Sequence, residues 1–216
     1  MNFKSYLDYD WKLEEFIVGV KTSNEVVKGL KDIVPRGRDW RSEELFLNKI
    51  YDTTKNKLCY CNFSLNTNLK RELIYKRLKN RNFIEFGHMG EWQSYTGEHL
   101  WPEKKRLENL EVDLKCRDDF YKKLAQSKFT ISPEGYNIDT FRTWDALYLK
   151  TIPIVEDSSW MRNFKELPIL FTKDYSEITE EYLNDKWDEF LNTEFNFELL
   201  KKSNWIDKEV EKYIQI

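Results

Sequence analysis

The chain has 216 residues, with 35 Lys or Arg against 38 Asp or Glu and a net charge of -3. That mixed surface gives no electrostatic reason to bind nucleic acid. Hydrophobic residues make up 40% and aromatic residues 16%, beside only 7 Gly and 5 Pro, which excludes a fibrous or disordered chain and leaves room for one substantial cored domain.

Residues 1–16 contain no apolar segment of signal-peptide type, and no apolar run approaches the roughly 18 residues of a membrane span. The expectation is a soluble protein, cytoplasmic or otherwise intracellular, without a membrane span. In the first 55 residues Phe16–Val20 reads as a strand and Ser42–Ile50 as a short helix, with the basic turn Pro35–Arg38 between them. From Leu58 the alternation is regular. Leu58–Phe63 is a strand, and Asn66 or Asn68 opens a helix that runs through Leu78. Asn82–Phe86 is a second strand. Residues 87–116 form a long polar connection with Gly87, Gly90, Gly97 and Pro102, longer than compact α/β units need and read as a functional loop. Arg117–Gln126 is a helix. Phe129–Ser132 is a strand ended by Pro133, Glu134–Gly135 is a turn, and Asn137 or Asp139 caps a helix to about Leu149. Thr151–Val155 and Pro168–Thr172 are strands, Ile178–Leu191 is a helix, and Ile206–Ile214 closes the chain as another. The order predicts an α/β fold: a doubly wound, mainly parallel Rossmann-like sheet over 56–216, with 1–55 as a small N-terminal appendage.

A strand that feeds a helix through a glycine-containing loop leaves backbone N–H groups facing one point, an anion site. Arg142 lies about one turn into that helix, where its planar fork suits a diphosphate. Asp139, Arg142 and Asp145 recur every three residues and would share one helix edge; the plainer reading is a solvated ion-pair ladder worth about 0.3–0.5 kcal/mol per pair. Gly135 permits close approach of a ligand, and Tyr136 either packs a base or covers the loop. Lys70–Arg81 carries six Lys or Arg against one Glu, with Arg71 in its first turn. Cys59 and Cys61 fall on the same side of a strand, Cys116 stands alone, and His88 and His99 are eleven apart, so no metal set is expected.

The stretch SPEGYNIDTFRTWDALYLKTIPIV resembles the signature segment of exostosin-like glycosyltransferases. There a strand ending near Ser-Pro precedes a Gly-containing loop, an Asp-x-x-Arg-x-Trp-Glu-Ala-Leu helix start, and Gly-x-Ile-Pro-Ile-Val. Residues 59–78 and 166–183 agree as well, so the resemblance covers about 57–192. It implies one half of a GT-B enzyme, the C-terminal half that binds a nucleotide-sugar, with UDP-sugar as donor and a glycan or other hydroxyl as acceptor. The reaction would be inverting, with no metal or other cofactor. In that reading Arg142 and Asp139 serve catalysis. The donor is bound by Asn62, Ser64, Arg71, Ser132, Gly135, Tyr136, Asn137, Thr140 and Asp145, with Arg71 facing the phosphates and Asp145 the ribose. Asp10, Glu85, Glu91 and Asp139 are the candidate general bases. Three features depart from the pattern. Asp145 replaces a glutamate, Lys150 replaces the glycine before Ile-Pro, and 55 residues are too few for a second Rossmann half. A homodimer is one way to complete the cleft. The alternative reading is a non-catalytic nucleotide-sugar or glycan-binding module.

Overall fold

The computed structural model describes residues 1–9, 51–87, 118–201 and 204. Five strands, β1 (Lys57–Cys61), β2 (Ile84–Phe86), β3 (Ser127–Ile131), β4 (Ile152–Glu156) and β5 (Leu170–Thr172), form one sheet in the order β2-β1-β3-β4-β5. Every pair is parallel: Cys59 lies opposite both Ile84 and Phe129, Phe129 opposite Ile152, and Ile154 opposite Leu170. A parallel sheet covered on both faces needs apolar residues at consecutive positions. The buried runs Cys59–Cys61, Phe129–Ile131 and Ile152–Val155 supply them.

The helices are α1 (Phe3–Leu7), α2 (Leu69–Leu78), α3 (residues 118–125), α4 (Phe141–Tyr148) and α5 (Glu180–Asn192). The crossover from β1 to β2 runs in the opposite direction to those from β2 to β3 and from β3 to β4. Right-handed connections therefore place α2 on one face and α3 and α4 on the other. The result is the α/β, doubly wound Rossmann-like arrangement that the alternation predicts.

Local chemistry explains the helix ends. Asn68 caps α2, its Oδ1 accepting from Lys70 N at 3.0 Å. Thr179 caps α5 through Tyr182 N at 3.1 Å, with Glu180 and Glu181 in the first turn, where the helix dipole favours negative charge. The cap of α4 is Thr140, not Asn137 or Asp139, because Asp139 Oδ2 instead accepts the Trp144 indole N–H at 3.0 Å. Asp139 thus precedes the helix and does not share an edge with Arg142 and Asp145. At the far end of α4, Thr151 N donates to Ala146 O and Lys150 N to Leu147 O, a Schellman closure that holds Lys150 at φ 59.

Residues 1–9 pack onto this unit. Phe3 meets Trp187 edge-on at 5.7 Å, Tyr6 stacks on Phe197 at 3.9 Å, and Tyr6 Oη donates to Leu147 O at 2.7 Å. Trp187 in turn reaches Phe129 in β3, so α1 and α5 extend the core of the sheet. The expected elements Phe16–Val20, Ser42–Ile50 and Ile206–Ile214, and nearly all of the 87–116 connection, lie outside the described residues. Among the described residues no helix is long and apolar enough to cross a membrane.

Candidate functional site

The strand order reverses between β1 and β3. In open α/β sheets the crevice beyond the carboxyl ends of the two strands at such a reversal is where ligands bind. Here it is walled by residues 62–68 after β1 and 132–140 after β3, with α4 rising from the second loop. Phe63, buried after β1, underlies two cations: Arg71 Cζ lies 5.4 Å from the ring centroid and Arg142 Cζ 6.0 Å. Two guanidinium groups drawn onto one ring raise the local positive potential.

The two arginines are not equivalent. Arg71 is only 4% exposed, and its donors are taken by backbone: Nε by Glu134 O at 2.8 Å, Nη1 by Ser64 O at 2.9 Å and Nη2 by Pro133 O at 2.9 Å. Burial and then the neighbouring Arg142 push its pKa down to about 9, which leaves it charged at neutral pH. Arg142 Nε and Nη1 are also buried, yet among the described residues neither has a hydrogen-bond partner. Burial lowers the Arg142 pKa, opposed by Cys61, Asp145, Tyr60 and Tyr175 around it. A buried guanidinium with unmatched donors is costly unless an anion meets it.

The other expected site residues divide by position. Ser132 Oγ shares hydrogen bonds with Thr143 Oγ1 at 2.8 Å and Thr140 Oγ1 at 3.3 Å, a hydroxyl chain at the start of α4. Gly135 sits against Arg71, where an added Cβ would lie 2.9 Å from Nη2. Tyr136 and Asn137 are exposed at the loop tip, Tyr136 by 71%. Asn62 Nδ2 donates to Tyr60 Oη at 3.0 Å, and Ser64 contributes its carbonyl to Arg71. Asp145 is 3% exposed and accepts from Tyr121 Oη at 3.2 Å, so its carboxylate lies inside the domain, near Arg142, rather than at the surface of the crevice. Of the candidate bases, Glu85 pairs with Lys57 at 2.6 Å and Asp139 holds Trp144; Asp10 and Glu91 lie outside the described residues.

Two residues of the site carry no mark in the sequence reading. Glu156, at the end of β4, accepts from Glu134 N at 3.0 Å, and its pKa is raised by burial against the opposing help of backbone N–H groups and Tyr175. Tyr175, fully buried, sets its hydroxyl beside Glu156. The signal available for Glu156 is its place as the acidic residue that ends an apolar parallel strand. Tyr175 offers none. A separate surface hollow lined by Lys165, Glu166, Thr193, Glu194, Phe195 and Asn196 lies among the elements around α5 and shares no residue with this crevice. Among the described residues no three His, Cys, Asp or Glu gather as a metal-ligand group.

No curated protein matches the chain. Residues 45–186, more than half of its length, match the family model of the RXYLT1 C-terminal domain. That span holds the parallel sheet, both crevice loops and the two arginines. The chain therefore belongs to the RXYLT1 C-terminal domain family, an exostosin-like and glycosyltransferase-related domain.

Proposed function

We propose that this protein is a glycosyltransferase that moves a sugar from a UDP-sugar to a hydroxyl acceptor. The observation that carries the reading is Arg142. Among the described residues two of its buried N–H groups lack partners, one residue past the first position of α4. A diphosphate placed there would meet the guanidinium, the helix N-terminus and the Ser132–Thr140–Thr143 hydroxyls together. In sugar transfer the nucleoside diphosphate leaves as negative charge builds on its bridging oxygen. A fixed cation at that oxygen stabilises the transition state more than the ground state. This chain would supply that stabilisation from side chains and backbone, as the donor-binding half of a GT-B enzyme.

Titration of wild type and Arg142→Ala with UDP by calorimetry tests the placement, and release of UDP from a panel of UDP-sugars tests the activity. Loss of the guanidinium is expected to cost about 2–4 kcal/mol of transition-state stabilisation. Equal UDP affinity in the two proteins would refute the placement. The burial of Asp145 beside Tyr121 favours a second reading, a module that binds the nucleotide-sugar without transferring it. UDP binding with no release from any donor would select that reading.

A further inference from the structure

Arg71 differs from Arg142 in what its guanidinium faces. Three of its donors end on main-chain carbonyls from both sides of the crevice: Ser64 after β1, Pro133 and Glu134 after β3. The loop after β3 is held from its other side as well, since Glu156 Oε2 accepts from Glu134 N. Asn68 Nδ2 adds a bond to Gly135 O at 3.1 Å, and Lys70 pairs with the Glu134 side chain. A Cβ at Gly135 would lie 2.9 Å from Arg71 Nη2, so any other residue there pushes on the guanidinium.

We infer that Arg71 is a positioning residue, which with Glu156 clamps the Pro133–Gly135 segment between β1 and β4 so that the start of α4 and Arg142 face the donor. The inference rests on the donor reading for its purpose, though not for its geometry. A lysine at 71 has no planar fork and cannot reach three divergent carbonyls at once. The clamp also explains how a glycine-containing loop keeps one shape: its carbonyls and the Glu134 N–H are satisfied by side chains, and the Gly135 N–H closes a turn on Asn137 O. Beyond the clamp, only the tip at Tyr136–Ile138 stays exposed.

The clamp can be perturbed without altering charge. Gly135→Ala does so by keeping both arginines and pushing on Arg71, while Arg71→Ala removes the three Arg71 bonds together with a charge and leaves the Glu156 side of the clamp. We expect both variants to speed hydrogen exchange at the Glu134 and Gly135 amides by about tenfold or more while the amides of β3 and β4 keep their protection. We also expect each to weaken UDP binding by about tenfold, with the salt dependence of binding unchanged in Gly135→Ala, which keeps both charges, and the double variant to bind no more weakly than the worse single one. Weak UDP binding in Arg71→Ala with Gly135→Ala binding like wild type would show Arg71 acting by its charge rather than through the loop and overturn the inference. Unchanged exchange at both amides in both variants would overturn it equally. If wild type fails to bind UDP the donor reading falls, and the exchange measurement alone decides the clamp. Should Arg71→Ala not fold, Gly135→Ala and Arg71→Lys carry the comparison.

Discussion

Replacing Lys150 sets two opposed effects against each other. Its backbone is at φ 59, a left-handed conformation that costs an L-residue about 1 kcal/mol relative to glycine. Against this, Lys150 Nζ donates to Leu7 O at 2.6 Å and so ties α1 to the end of α4. A charged hydrogen bond of this kind, discounted for partial exposure, contributes about 1–2 kcal/mol. Lys150→Ala keeps the strain and loses the bond, so it should be about 1–2 kcal/mol less stable than wild type. Lys150→Gly loses the same bond but relieves the strain, and should sit about 1 kcal/mol above the alanine variant. Urea unfolding resolves that gap as a midpoint difference of a few tenths of a molar. Equal midpoints for alanine and glycine would refute the conformational cost. A glycine variant more stable than wild type would show that the link to Leu7 contributes less than the strain it accompanies.

Trp144→Phe should destabilise by about 1–3 kcal/mol, because it strips the indole donor from Asp139, which is 7% exposed; chemical denaturation measures this. Glu156 has its pKa raised above the ordinary 4.5 by burial, so the folded state binds this proton more tightly than the unfolded one. Stability from this group therefore declines as pH rises above 4.5, and Glu156→Gln should gain on wild type in that range when midpoints are followed against pH. Burial pushes the Cys61 thiol up to about 12 and Cys59 well above its usual range. Iodoacetamide at neutral pH should leave both unmodified in the native protein and alkylate both after unfolding, as read by mass spectrometry.

The parallel sheet was legible because burial on both faces forces consecutive apolar residues, and Leu58–Phe63, Phe129–Ser132 and Thr151–Val155 carry that pattern openly. Their observed ends shift by one or two residues where a terminal side chain turns into a loop, as Asn62 and Phe63 do. Lys150 is legible for a different reason: the resembled pattern keeps a glycine there, and glycine marks a left-handed turn. The use made of each polar group was not legible. Sequence spacing puts Asp139 near Arg142, but an indole five residues on claims its carboxylate. Arg71 has the charge for phosphate, yet the carbonyls that take its donors belong to Ser64 and to residues more than 60 positions further on. Glu156 and Tyr175 join the site only through the register of β3, β4 and β5, which no local pattern encodes. The strand, loop and helix start that wall the crevice were visible, since that geometry is local.

The packing of α1 has a consequence for the order of events during synthesis. Phe3 and Tyr6 are made well before the rings they rest on, Trp187 and Phe197, which come about 190 residues later. At ordinary elongation rates that interval is roughly 10–40 s. Through it two large aromatic side chains have no native place to go, while β1, β2 and β3 can already associate. Residues 1–9 thus reach their packing partners only after the strands of the sheet have been made, and until then they offer two unburied rings to chaperones.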